Sequence, residues 1–321
     1  MPTTSLLATT GAMIPIFLMG LVGFVSRRLR IVTGHGVKQI ARLVVDFILP
    51  GALFHATYTQ YTRDRLPSLA IIGVAQFGFF AVALTATLLA HRLVRARSHA
   101  GTAVCLTAAQ NNVYLPIPVA AALLPAAENV QAQFFIGCFV LFVNPILWAL
   151  GPKMLAWEAG VRVEPLALLR SVVTSPLLLA VVAGIAVKEL CTMAGIGLPR
   201  PLTAFTKLCL EAMVPFATIV LGGVLAEARW SQDFDPRGLA VVIVVKLLLI
   251  PALTLGALRL TGLADPLLAF VILLQATMPP ATNISLVAKR FGGNASLVAV
   301  SLFVTYLLAM LTIPFWLSLH R

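Results

Sequence analysis

The sequence predicts an all-α polytopic membrane protein: ten transmembrane helices in an inverted 5+5 repeat, with helices four and nine broken. Of its 321 residues, 60% are hydrophobic and only 11% charged, whereas soluble chains carry about 25% charged residues. Ten stretches of near-continuous apolarity run along the chain, most of them close to the roughly 20 residues that a helix needs to cross a bilayer. The pattern Arg42-x3-Asp46-x3-Pro50 returns 165 residues later as Lys207, Glu211 and Pro215.

In chain order the spans are Leu6 to Val25, Ile40 to Tyr58, Leu69 to Ala90, Thr102 to Leu124 and Phe134 to Leu155, then Ser171 to Val187, Leu208 to Ala226, Leu239 to Leu258, Pro266 to Ala288 and Ala295 to Leu319. Met1 to Ser5 lacks the basic residues of a cleavable signal, so the first span is expected to remain as a helix. The longest connection, Lys188 to Lys207, has 20 residues. That leaves no room for an appended kinase, nuclease or nucleotide-binding domain, and no glycine-rich phosphate loop is present.

The net charge of +12 becomes intelligible once the cations are placed. Arg27, Arg28, Arg30, Lys38 and Arg42 flank the first connection; Arg92, Arg95 and Arg97 lie in the third, and Lys153, Arg162 and Arg170 in the fifth. Arg229 and Arg237 belong to the seventh, Lys289 and Arg290 to the ninth. Basic loops stay cytoplasmic, so the odd connections are expected inside the cell (inner) membrane and both termini outside. The positive excess is a topology signal suited to anionic lipids, not a nucleic-acid surface. The cysteines Cys105, Cys138, Cys191 and Cys209 follow no CxxC spacing, so they read as small hydrophobes; no metal site or cofactor is expected.

At the 165-residue offset Gln110 falls on Gln275, each in a span interrupted by two prolines. Duplication divides the chain into a first repeat at 1–155, a cytoplasmic connection at 156–170 and a second repeat at 171–321. Five helices are an odd number, so the second copy enters the membrane inverted, a plan common among secondary transporters. The bland alternative is chance alignment of proline-containing apolar helices.

Span four reads Ala109-Gln-Asn-Asn-Val-Tyr-Leu-Pro-Ile-Pro118, and span nine reads Gln275-Ala-Thr-Met-Pro-Pro-Ala-Thr-Asn283. Proline removes a backbone donor and clashes with the preceding turn. Pro116, Pro118, Pro279 and Pro280 should therefore unwind both helices near their centres. Freed backbone groups cannot face hydrocarbon; Asn111, Asn112, Thr282 and Asn283 stand beside the breaks to satisfy them or to line a cavity. Two half-helix N-termini meeting at mid-membrane would make an anion site. The competing reading is two kinks whose amides merely patch the backbone.

At these residues the chain resembles the auxin efflux carrier family in its short bacterial form. The carriers of the resemblance are Asn111-Asn-Val-Tyr-Leu-Pro-Ile-Pro118, Met278-Pro-Pro-Ala-Thr-Asn283, Ala288-Lys-Arg-Phe-Gly-Gly293, Leu311-Thr-Ile-Pro-Phe-Trp-Leu317 and Leu49-Pro-Gly-Ala-Leu-Phe54. Pro116 and Val113 stand where the family usually has glycine, which stiffens the first break. The resemblance implies crossing helices four and nine, a scaffold of helices one, two, six and seven, a transport domain from the rest, and elevator-type alternating access. It implies small organic carboxylate substrates, auxin-like acids or dicarboxylates, with Asn111 at the position of the family's carboxylate-binding asparagine. The plant members' long cytoplasmic loop is absent. A homodimer would suit a fixed scaffold.

Ionisable residues inside spans usually mark function. Asp46 follows Arg42, and Glu211 follows Lys207, by four residues; each acid can pair on its own helix. They read as structural or gating ion pairs, with proton coupling as the alternative. Lys246 has no acid four residues away. It either supplies positive charge near the crossover, making sodium unnecessary, or snorkels to the interface. His55 reads as an interfacial residue able to titrate, and Trp157, Trp230 and Trp316 as interface anchors.

The expectation is thus a secondary carrier of a small organic anion, bound by Asn111 and Asn283 with Thr282, Gln110 and Gln275 orienting them. Open alternatives are a sodium-coupled symporter of the bile-acid type and, from another class, an intramembrane enzyme or sensor. No HExxH pair or Asp-rich diphosphate motif supports an enzyme.

Overall fold

The computed structural model describes residues 6–96, 100–159, 170, 173–227 and 235–320. Arg97, Arg162, Arg229, Trp230 and most of the 156–170 connection lie outside them. Among the described residues the regular structure is helical, apart from one isolated bridge between Gln110 and Pro280.

The elements are α1 (Leu6–Arg28), α2 (Gly34–Gln60), α3 (Arg63–Leu93), α4 (Ala100–Ala108), α5 (Pro116–Leu123) and α6 (Ala126–Pro145, continued to Ala159). They continue with α7 (Pro176–Ala194), α8 (Arg200–Leu225), α9 (Pro236–Thr261), α10 (Pro266–Thr277), α11 (Ile284–Phe291) and α12 (Ala295–Ser318). Eight of these helices are long and apolar enough to cross a membrane. The fourth and ninth apolar stretches are each interrupted, into α4 and α5 and into α10 and α11.

Short polar side chains start several helices by accepting their orphan amides. Thr33 accepts from Gly36 N at 3.0 Å, Asn294 from Leu297 N at 2.8 Å, and Asp265 from Leu267 N and Leu268 N at 2.9 and 3.0 Å. Gly292, at φ +86°, ends α11 in the left-handed conformation that glycine adopts without penalty.

Three helices carry a π turn: Val44–Ile48, Ile146–Leu150 and Val244–Leu249. Each ends two residues before a proline, at Pro50, Pro152 and Pro251. Widening the turn moves the proline ring off the preceding carbonyl while the helix continues. Leu247 O lies four residues before Pro251, which has no N–H to offer it, and the Trp316 indole Nε1 donates to that carbonyl at 2.8 Å. Trp316 therefore holds α12 to the π turn of α9 rather than serving simply as an interface anchor. The Trp157 side chain lies outside the described residues.

Helices α1, α2, α7 and α8 pack through small residues, as membrane helices do when backbones approach. A Cβ on Gly222 would fall 1.8 Å from Gly20 O, and one on Gly23 would fall 2.0 Å from Ile219 O; α1 and α8 touch backbone to backbone. Gly51 meets Cys209, and Gly184 meets Thr57. His55 is buried, with Nδ1 3.0 Å from Thr206 Oγ1. It links α2 to α8 inside the protein.

Ion pairs join connections at matching ends. Arg27 Nε lies 3.4 Å from Glu227 Oε1, tying the ends of α1 and α8. At the opposite end of α2, Arg63 pairs with Glu189 at 2.6 Å and Tyr61 donates to Glu189 at 3.0 Å. Burial, and then the Glu189 carboxylate, raises the Tyr61 phenol pKa above its ordinary value.

Candidate functional site at the two helix breaks

The two interruptions pair with each other. Asn111 N donates to Pro279 O and Ala281 N to Ala109 O, both at 2.8 Å, forming an antiparallel bridge centred on Gln110 and Pro280. Unwound backbone survives in a membrane only where its polar groups find partners inside the protein. The bridge provides two, and side chains provide the rest. Gln275 Nε2 donates to Asn112 O at 3.0 Å, Tyr306 OH donates to Pro280 O at 3.1 Å, and Asn111 Oδ1 accepts from Tyr114 N at 2.9 Å.

This places the residues that the sequence singled out. Gln110, Gln275 and Asn111 are buried and hydrogen-bonded. Gln110 pairs amide to amide with Gln76 of α3, and Asn111 Nδ2 donates to Tyr306 OH at 2.6 Å. Neither glutamine orients Asn111; Tyr306 and the Tyr114 amide do. The 165-residue offset does not describe the breaks either. Gln110 lies within its break, Gln275 lies within α10, and the residue facing Gln110 is Pro280.

The patching expected of the amides and hydroxyls falls mainly to others. Among the described residues, the side chains of Asn112, Thr282 and Asn283 make no hydrogen bond, and the buried Asn112 Nδ2 and Gln275 Oε1 have no partner. Asn112, Thr282 and Asn283 are partly buried. Pro116 and Pro118 occupy the first turn of α5, where a missing N–H is harmless. Pro279 and Pro280 lie in the bridge itself and give it their carbonyls. Asn283 stands at the N-terminus of α11 without capping it. The breaks thus collect two open amide side chains, a hydroxyl and one buried amide oxygen between two helix N-termini.

Lys246 is fully buried on the π turn of α9, and among the described residues its Nζ has no hydrogen-bond partner. It does not snorkel. Its turn packs against α3, α4, α10 and α12, a set that includes both half-helices that end at the breaks. Asp46 and Glu211 instead pair on their own helices, with Arg42 at 3.3 Å and Lys207 at 3.7 Å, and stay substantially exposed.

Sequence reasoning missed Gln76 and Tyr306. Gln76 is an isolated amide in the apolar run Ile71 to Phe80, and a polar side chain inside a span is itself a signal. Tyr306 is the sole tyrosine of α12, but nothing in its spacing shows that its hydroxyl reaches both breaks.

A family described as membrane transport protein matches residues 8–165 and 161–317. A Rhizobium meliloti (strain 1021) protein named "Putative malonate transporter" is 25% identical over 320 residues, covering 97% of this chain and 96% of that protein. Protein PIN-LIKES 7 of Arabidopsis thaliana is 34% identical over 115 residues, 34% of this chain and 29% of the plant protein. Protein PIN-LIKES 1 is 32% identical over 111 residues, 33% of this chain and 24% of the plant protein. The matches to the plant relatives thus span about a quarter of their length. The chain is a multi-pass membrane protein that belongs to the membrane transport protein family of auxin efflux carriers, transporters and not enzymes.

Proposed function

We propose that this chain is a secondary carrier of a small organic anion, bound between the two helix breaks. One observation carries the reading: among the described residues, the side chains of Asn112, Thr282 and Asn283 are spent on no hydrogen bond, although they flank the paired breaks. Open amide and hydroxyl donors beside two helix N-termini suit a carboxylate. Gln275 Oε1 accepts from a hydroxyl or a protonated second carboxyl. The relative named for malonate supports a dicarboxylate as the first substrate to try.

In this reading α4 with α5 and α10 with α11 are spans four and nine of a ten-span inverted repeat, crossing at the bridge. The tightly packed α1, α2, α7 and α8 form the scaffold, and the remaining helices move against it by an elevator motion. The basic odd connections face the cytoplasm across the inner membrane, with a homodimer supporting the scaffold. Lys246, buried on a π turn that packs on both half-helices, supplies the positive charge that a sodium ion would otherwise bring, so transport runs without sodium.

The test is a thermal-stabilisation screen of the purified protein against mono- and dicarboxylates, with and without sodium and at two pH values. Stabilisation by a carboxylate irrespective of sodium is expected. Stabilisation only in sodium would favour a sodium symporter, and no stabilisation by any carboxylate would refute the anion site.

A further inference from the structure

A cavity of about 430 Å³ opens between α1, α8 and α12. Three hydroxyls border it, and each donates to a carbonyl of the protein: Thr10 to Leu6 O at 2.8 Å, Thr218 to Val214 O at 2.6 Å and Tyr306 to Pro280 O at 3.1 Å. The cavity therefore presents hydrocarbon and no free donor, and apolar cavities of this kind stay dry. Ile14, Leu18, Leu307 and Leu311 line it and are also exposed, so it opens sideways, toward lipid. On α1 the lining runs from Thr10 to Phe24, about 21 Å at 1.5 Å per residue, more than half of a hydrocarbon core about 30 Å thick. The Phe24 end is the basic one. The Phe24 and Phe303 ring centroids lie 6.5 Å apart, and the Arg28 guanidinium carbon sits 5.3 Å from the Phe24 centroid. Arg27 is taken by Glu227, whereas Arg28 and Arg30 are exposed and make no ion pair among the described residues.

We infer that one acyl chain of an anionic phospholipid occupies this cavity, with its phosphate held by Arg28 at the Phe24 end. The inference stands apart from the anion site at the breaks. Each half of the lipid meets its complement. The chain supplies the dispersion contacts that a hydrocarbon lining otherwise forfeits, and basic residues at a helix end recognise anionic headgroups. A small dicarboxylate has no apolar body to fill such a space. Gly20 and Gly222 form part of the lining where α1 and α8 touch, and α12 supplies another wall. The chain thus lies between α12 and the α1–α8 pair, and its presence sets how closely they pack.

The probe is palmitoyl-oleoyl phosphatidylglycerol, titrated into the delipidated full-length protein in detergent and counted by native mass spectrometry. One lipid retained more tightly than the rest is expected, with phosphatidylcholine of the same chains bound about fivefold more weakly, the worth of one cation near an anionic headgroup. Arg28→Gln should lose the same factor for phosphatidylglycerol. Leu18→Trp, which adds bulk at the exposed rim of the cavity, should abolish the tight site. Arg200→Gln, which removes an exposed cation at the far end of α8, should leave binding as it is. Equal affinity for the two lipids, or an Arg28→Gln or Leu18→Trp variant that binds like wild type, overturns the inference. A loss in Arg200→Gln matching that in Arg28→Gln also overturns it, because the attraction is then general. Displacement of the lipid by phenylacetate, an apolar monocarboxylate, gives the cavity to a substrate and overturns it as well. Should Leu18→Trp unfold, Leu307→Trp on the α12 rim carries the same expectation.

Discussion

Replacing Lys246 with methionine separates what the buried cation does for folding from what it does for a ligand. The side chain is fully buried, and its Nζ has no hydrogen-bond partner among the described residues. A lysine at a helix centre costs about 2.5–3.5 kcal/mol to insert. Its π turn packs on α4 and α10, whose C-terminal dipoles return at most about 2 kcal/mol. About 1 kcal/mol of net destabilisation remains in the unliganded protein. Methionine keeps the length of the stem, so the variant should unfold about 1 kcal/mol later than wild type without ligand. An organic acid at a hundred times its Kd stabilises the protein that binds it by about 2.7 kcal/mol. Wild type should therefore overtake the variant when ligand is saturating, because the variant has lost the charge that attracts the anion. Thermal unfolding in detergent, followed by intrinsic fluorescence with and without ligand, reads both orders. A variant less stable than wild type without ligand, or one stabilised by ligand as much as wild type, would refute the reasoning.

Two further expectations address the frame that holds the site. Trp316→Phe leaves Leu247 O without its indole donor; a loss of about 1–3 kcal/mol is expected, and unchanged stability in chemical denaturation would contradict the role given to the indole. Gly222→Ala drives a methyl group against Gly20 O, 1.8 Å away, so α1 and α8 must part. A loss of about 3 kcal/mol or more is expected, and a wild-type melting temperature would disprove the backbone contact.

How much was legible in the sequence divides along physical lines. Apolar length and charge placement respond to the bilayer, which acts on each segment separately. Reading along the chain therefore located the long helices and the two interruptions. Proline chemistry is equally local, although its outcome is not: Pro50, Pro152 and Pro251 produced π turns within continuing helices, whereas the Pro279-Pro280 pair unwound its helix. What satisfies an unwound segment depends on neighbours distant in sequence. Asn111 was read as a ligand-binding amide, yet its partners are Tyr306, 195 residues away, and the Tyr114 amide. Gln110 and Gln275 matched at a fixed offset but serve different bonds. Lys246 reads from the sequence as a charge donor or a snorkelling stem, and its complete burial on a π turn speaks against the second.

The binding of an organic anion at the breaks is tested most directly by titrating malonate into wild type and into Asn283→Ala, without sodium. Asn283 makes no structural hydrogen bond among the described residues and does not cap α11, so its removal leaves the fold intact. A saturable isotherm for wild type and a loss of at least about tenfold in affinity for the variant, the worth of one charge-assisted hydrogen bond, with unchanged melting temperature, is the expected result. Equal affinity in the two proteins would contradict the site.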